Sequence, residues 1–281
     1  MTIGERLNQT RQTLEANGIP DPETDSVLLL SFVTGLDHLA LRLEKNRPMT
    51  PEQEQRLASL LLSRTQRQPL QYLLGEQWFY GRRFSVDHRV LIPRQETESL
   101  CQLGINRLKG LPSPTVLDMC TGSGAIAVTL KKECPKAQVS AADLSHDALA
   151  IARKNAADNQ ASVTFYQGDL FAAIPAGMCF DLILSNPPYI PSEDCKTLQA
   201  EVMQEPVMAL DGGDDGLDFY RRLAAESPAY LRADGWLMVE IGSQQARDVS
   251  ALFAEAGFSD VKVHQDLYGL DRIVAGRRSH V

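Results

Sequence analysis

The sequence predicts an α/β protein in which a mostly parallel sheet follows a small N-terminal helical bundle. Three observations predict it. From Thr115 onward, short strand-like runs alternate with helical patterns, as parallel strands joined by helical crossovers require. Before about residue 75 the apolar positions keep helical periodicity. The last two strand-like runs have no helix between them, so they are expected to form an antiparallel hairpin at one edge.

The bundle is read from its start and stop signals. Thr2 starts a helix that ends at Gly18. Asp21, Pro22 and Glu23 supply a cap, a proline in the first turn and an acid, and Gly35 stops the run that follows. Thr50, Pro51 and Glu52 repeat the pattern, and Gln53 completes a capping box. Helices this short are not stable alone, which implies that they pack on one another. Gln77 to Val86 then turns aromatic and β-rich about Gly81, suggesting a hairpin with Arg82 and Arg83 as solvated turn residues. Val90 to Arg94 is an extended connector held open by Pro93. A helix begins at Glu96 and Glu98 and leads to a break at Pro112 and Pro114. Strands are expected at 115–119, 138–142, 163–167, 180–185, 236–241, 259–264 and 271–275. The resulting organisation is a helical domain over 1–75, a hairpin and connector over 76–95, and the sheet domain over 96–281.

The chemistry sits at the strand ends. Asn186, Pro187, Pro188 and Tyr189 follow the buried run FDLIL. The two prolines have fixed φ and no N–H to donate. The Asn186 side chain and the Pro187 carbonyl can then converge as acceptors, with Tyr189 as a flat wall. Such a corner suits a planar –NH2 group conjugated to a carbonyl or a ring; an amide and an adenine amine both fit. Upstream, TVLDM leads into Cys120, Thr121, Gly122, Ser123 and Gly124 and then an apolar helix. Its N-terminus suits a carboxylate or phosphate. Asp143 ends the next strand, where an acid can accept from both ribose hydroxyls. Asp169, after the third strand, can accept from an adenine amine, with Leu170 covering the ring. Each feature also has a structural reading: a plain glycine turn, a helix cap for Asp143, a loop residue for Asp169, a tight turn for NPPY. Together and in this order they reinforce one another.

Composition bounds the possibilities. The chain has 281 residues, 43% apolar and 23% charged, with a net charge of −8, ordinary values for a globular protein. No apolar run approaches the roughly 20 residues of a membrane span, and the N-terminus lacks a signal-peptide pattern, so a cytoplasmic protein is expected. Cys101, Cys120, Cys134, Cys179 and Cys195 form no CxxC, and His38, His88, His146, His264 and His280 show no metal spacing. No metal is expected. The acidic excess falls after Val90 and opposes extensive contact with nucleic acid.

The strand–DxxTGSG–helix, the ribose acid and NPPY together make the chain resemble a class I S-adenosylmethionine-dependent methyltransferase. More narrowly it resembles the release-factor glutamine methyltransferases, the HemK/PrmC family. The connector VLIPRQETE, the stretch EPVMALDGGDDGLDFYRRL and the ending DLYGLDR carry that resemblance over nearly the whole chain. It implies a Rossmann-like sheet of seven strands with helices on both faces, and an N-terminal domain that recognises substrate. It implies transfer of a methyl group from S-adenosyl-L-methionine, leaving S-adenosyl-L-homocysteine, to the side-chain amide nitrogen of the glutamine in the Gly-Gly-Gln loop of peptide chain release factors. By motif match, Cys120 to Gly124 hold the methionine part, Asp143 the ribose, and Asp169 with Leu170 the adenine. Asn186, beside the cofactor, holds the glutamine with Pro187, Pro188 and Tyr189. Two departures stand out. Cys120 occupies a common glycine position, so the backbone there must avoid positive φ or accept strain. Gln95 replaces the second proline of IPRPETE. The rival readings are an adenine-N6 methyltransferase acting on DNA or RNA, which the acidic balance opposes, and a noncatalytic S-adenosylmethionine-binding assembly factor, which has no use for NPPY. Neither direct nucleic-acid binding nor a membrane partner is expected.

Overall fold

The computed structural model describes residues 1–279, so His280 lies outside the described residues. Two compact units divide the chain. One comprises Met1–Gly75 with Gln199–Gln204, and the other comprises Glu76–Leu198 with the chain from Glu205 onward. Residues 199–204, expected within the sheet domain, cluster instead with the helical unit.

The first unit contains α1 (Ile3–Ala16), α2 (Pro22–Thr34), α3 (His38–Leu43), α4 (Pro51–Thr65) and α5 (Leu70–Leu74). Its helix starts follow the sequence signals. Thr2 and Glu5 close a capping box, Asp21 accepts from the Thr24 N–H ahead of Pro22, and Thr50 with Gln53 closes a second box. Such caps contribute about 1 kcal/mol each. Leu14, Leu29, Leu30, Leu41 and Leu57 fill the core between the helices. Arg64 is buried and donates to Asp25 Oδ2 at 2.7 Å and to Glu201 Oε1 at 2.9 Å. Arg67 donates to Glu201 Oε2 at 2.7 Å. Glu201 therefore holds the segment 199–204 in this unit.

The second unit opens with a hairpin, β1 (Glu76–Phe79) and β2 (Arg82–Ser85), which presents Phe79 and Phe84 to the core. Arg82 and Arg83 are strand residues rather than turn residues. Tyr80 and Gly81, both at positive φ, make the turn, and Arg82 reaches Glu133 at 2.5 Å. The large sheet follows: α6 (Thr97–Leu108), β3 (Thr115–Met119), α7 (Ala125–Glu133), β4 (Gln138–Asp143), α8 (His146–Asp158), β5 (Val163–Gln167), β6 (Phe180–Ser185), α9 (Asp218–Glu226), β7 (Leu231–Glu240), α10 (Ala246–Glu255), β8 (Phe258–Gln265) and β9 (Asp271–Arg278). Its strand order is β5-β4-β3-β6-β7-β9-β8. Strands β3 to β7 pair in parallel, whereas β9 is antiparallel to both β7 and β8. The seven-stranded α/β architecture with an antiparallel closing hairpin is thus as the sequence predicts. β7 starts earlier than expected because its first turn of residues, Arg232 to Asp234, is exposed and carries no apolar pattern.

Alternate residues bury opposite faces, as strand geometry requires. Val116, Val139, Leu182, Leu184 and Met238 pack under α6 and α7 with Leu100 and Leu130. Leu117, Ile183, Leu237 and Val239 meet Tyr220, Leu223, Val249 and Phe253 of α9 and α10. No described helix is long and apolar enough to cross a membrane.

Candidate active site

The chain passes outward from β3 through β4 to β5, then resumes on the other side of β3 with β6. The loops after β3 and β6 therefore diverge, and in such sheets the carboxyl ends at this reversal open a crevice. A cavity of about 610 Å³ lies there, within the second unit. Cys120 to Ser123, Asp143, Asp169, Leu170, Asn186 and Pro188 line it. Gly124, Pro187 and Tyr189 do not line it. Gly124 caps α7 at φ 81, and Tyr189 packs into the core under α9.

The loop after β3 is held by two carboxylates, the buried Asp118 and the partly buried Asp143. Asp118 Oδ2 accepts from Thr121 Oγ1 at 2.5 Å and from the Ala127 N–H at 3.0 Å. Part of the helix N-terminus, expected from the sequence to await a ligand anion, is thus satisfied by the chain itself. The other oxygen of Asp118 is buried without a partner. Burial pushes this carboxyl up to about 7, against the Thr121 and Ala127 bonds. Its folded value lies above its unfolded value, so its contribution to stability is complete at low pH and is lost as pH rises toward and through 7. The free energy of unfolding in urea should fall between about pH 4 and about pH 7, and Asp118→Asn should flatten that fall by on the order of 4 kcal/mol. An unchanged slope would contradict this assignment.

Asp143 spans two elements. Its Oδ2 accepts from the Gly122 N–H at 2.8 Å and its Oδ1 from the Ser145 N–H at 2.9 Å. The cap of α8 is Ser145, whose hydroxyl accepts from the Ala148 N–H. Asp143 is therefore not the helix cap. Burial raises its carboxyl, with the Ser145 and Gly122 bonds opposing. Asp169 accepts from Arg222 Nη1 at 2.9 Å, a partner on α9 that the sequence reading did not single out.

Two non-glycine residues that line the cavity take positive φ. Cys120 has φ 61 and Leu170 has φ 46, a region that costs L-residues about 1–2 kcal/mol. At Cys120 the strain foreseen from the sequence is accepted rather than avoided. Cys120→Gly relieves it but gives up partly buried side-chain contacts, so it should leave stability within about 1 kcal/mol of the starting protein. Cys120→Val places a β-branched residue at that φ and should lose more than about 2 kcal/mol. Thermal unfolding of both variants checks this; equal stability would refute it.

The NPPY turn is braced from three directions. The Ile190 N–H donates to Leu210 O at 2.9 Å, and the Gly212 N–H donates to Ile190 O at 2.8 Å. A Cβ at Gly212 would stand 2.8 Å from Tyr189 Cα and 2.9 Å from Pro188 O, so only glycine permits this approach. Gln245 Nε2 donates to Tyr189 O at 2.9 Å. Burial pushes the Tyr189 phenol up to about 12. Asn186 Nδ2 donates to Thr97 Oγ1 at 3.2 Å, and Thr97 Oγ1 donates to Glu240 Oε2 at 2.6 Å. Glu205, buried, accepts from the Ile92 N–H at 3.0 Å and from Arg94 Nη2 at 2.5 Å, joining the connector to the EPVMA stretch. Sequence reasoning missed Thr97, Glu240, Glu205 and Arg222. The signals were present but carried no role: Thr97 lies in the connector VLIPRQETE, Glu205 and Arg222 lie in EPVMALDGGDDGLDFYRRL, and Glu240 closes its strand as Asp143 does. Among the described residues no three His, Cys, Asp or Glu cluster as metal ligands.

Comparisons with known proteins add to this geometry. Residues 5–75 match the family described as PrmC N-terminal domain, and residues 99–214 match the methyltransferase small domain. A release factor glutamine methyltransferase of Geobacter sulfurreducens is 44% identical over 277 residues, covering 98% of this chain and 96% of that one. One from Deinococcus radiodurans is 40% identical, covering 99% of each. Among solved structures, the 16S rRNA N2 G1207 methyltransferase of T. thermophilus, in complex with AdoMet and guanosine, superposes with a TM-score of 0.53 at 16% identity, covering 72% of this chain and 49% of that one. That likeness is one of fold.

Proposed function

Because this chain belongs to the family of release factor glutamine methyltransferases, we propose that it methylates the glutamine side-chain amide nitrogen of the Gly-Gly-Gln motif in peptide chain release factors, with S-adenosyl-L-methionine as donor. The observation that carries the reading is the meeting of Asn186 and Pro188 with the β3 loop and Asp143 on one cavity. The cavity walls suit the donor. Asp143 would hold the ribose through its hydroxyls, and Asp169 with Leu170 would offer an acceptor and an apolar surface to adenine. Leu144 and Phe219 add further apolar wall. The donor, when bound, supplies an electrophilic methyl group on a sulfonium.

The protein's share of the chemistry is position. An amide nitrogen is a poor nucleophile because its lone pair is delocalised into the carbonyl. The side-chain oxygen of Asn186, a residue that lines the cavity, accepts from its N–H and aims the nitrogen, and orientation of this kind can contribute about 7–11 kcal/mol in favourable systems. The same acceptor stabilises positive charge growing on nitrogen. No strong base stands in the NPPY turn, so proton loss follows transfer. The first unit, whose sequence matches the PrmC N-terminal domain, recognises the release factor.

Incubation with labelled S-adenosylmethionine and either release factor or nucleic acid tests the reading. Label on the release-factor glutamine is expected. Label in nucleic acid instead would support adenine methylation, and cofactor binding without transfer to either would support a binding role. Addition of EDTA should leave the rate unchanged.

A further inference from the structure

We propose that Glu240, acting through Thr97, is a positioning residue that fixes which end of the Asn186 carboxamide faces the cavity. The proposal rests on the reading of Asn186 as the acceptor for the glutamine amide. That role needs Oδ1, not Nδ2, turned toward substrate. Asn186 is the end residue of a three-membered chain that reaches from the cavity to a buried carboxyl. Thr97 and Glu240 are both buried, at 5% and 1% exposure; Thr97 meets the cavity wall, whereas Glu240 lies behind it and cannot exchange its partner for bulk water.

The direction of each bond follows from counting protons. A threonine hydroxyl has one proton to give. With Glu240 ionised, that proton goes to Glu240 Oε2 at 2.6 Å. Thr97 Oγ1 can then only accept from Asn186, which must offer Nδ2, as observed. Oδ1 is left for the cavity. With Glu240 protonated, the carboxyl can donate to Thr97, Thr97 can donate to Asn186, and the carboxamide can turn Nδ2 toward substrate. Two N–H groups would then oppose the N–H bonds of the glutamine amide. The charge on Glu240 therefore selects the productive amide orientation.

The surroundings place this choice near neutrality. Burial pushes Glu240 up to about 7, while the Thr97 bond and the cations Arg272 on β9 and Arg94 in the connector pull it down and Glu96 pushes it up. Tyr189, Tyr220 on α9 and Cys101 on α6 also face its field, and burial holds all three neutral.

Single-turnover transfer to a release factor, with S-adenosylhomocysteine affinity measured alongside, is the test. The wild-type rate should rise with pH through Glu240 titration. Thr97→Val should lose about 10- to 100-fold in rate with cofactor affinity within about threefold. Thr97→Ser keeps the hydroxyl and should recover most of that loss. Glu240→Gln has no proton-dependent choice and should be slower and lack the rising limb. Independently of turnover, the Asn186 side-chain amide protons, followed by NMR in the full chain with 15N-labelled asparagine, should shift with that titration in the wild type but not in Glu240→Gln. Wild-type rate in Thr97→Val, equal impairment of Thr97→Ser, a retained pH limb in Glu240→Gln, or an Asn186 amide indifferent to pH would each overturn the proposal. A wild type that leaves release-factor glutamine unmodified but shows the amide shift would overturn the functional reading and keep the relay.

Discussion

Asn186→Ala should lower methyl transfer by about 10²–10³-fold while S-adenosylhomocysteine affinity stays within a few-fold of wild type. Ala removes the oxygen proposed to hold the glutamine amide and leaves the cofactor-facing groups of the β3 and β4 loops in place. It also leaves Thr97 Oγ1 without its Asn186 donor, a buried loss of about 1 kcal/mol that thermal unfolding should register. Asn186→Asp is the sharper comparison. The carboxylate can still accept from a glutamine N–H, but it has no N–H for Thr97, whose proton is already committed to Glu240. It also carries a charge that must be desolvated. Asp should be strongly impaired, though not necessarily to the level of Ala. Single-turnover measurement decides the matter, and a wild-type rate in Asn186→Ala would sink the proposed role of the NPPY turn.

Asp143→Ala should weaken S-adenosylhomocysteine binding by on the order of 10²-fold, as expected for loss of charged hydrogen bonds worth about 1.5–3 kcal/mol. Two effects combine. The acceptor for the ribose hydroxyls is gone, and the Gly122 and Ser145 N–H groups lose the oxygens that hold the loops after β3 and β4. Asp143→Asn separates them, because it retains one acceptor and replaces the other with a donor. It should bind more tightly than Ala and less tightly than wild type. Calorimetric titration supplies the affinities. Unaltered affinity in a folded Asp143→Ala would leave this residue as a loop brace only.

Local chemistry made much of the fold legible. Thr2, Asp21 and Thr50 announce their helices because a cap is decided by residues three positions apart. The seven strands were visible because each is a short apolar run with its own boundaries. The cavity lining at Cys120, Asp143, Asp169 and Asn186 was likewise found at strand ends, where parallel sheets place ligands. The interactions that hold these residues were not legible. Thr97 and Glu240 are 143 residues apart, and Arg94 and Glu205 are 111 apart. No spacing rule connects such pairs; only the completed sheet brings them together. The same is true of Asp118. Its place near the end of a strand was noted from the sequence, but its role in holding Thr121 and Ala127 depends on the loop geometry. Arg82 was misjudged because a residue beside a turn glycine looks solvated until its partner on another element, Glu133, is known.

The position of Glu201 has a consequence for synthesis. Arg64 and Arg67 emerge with the first helices, yet the carboxylate they share is encoded well over a hundred residues later. During translation at about 5–20 residues per second, the nascent helical unit waits roughly 6–25 s between Gly75 and Glu201 with this charge network incomplete. Its leucine core can collapse meanwhile, but Arg64 then has Asp25 alone as its acidic partner. The first unit to leave the ribosome is therefore not the first to be finished, and its last stitch is tied only when most of the sheet strands have already been made.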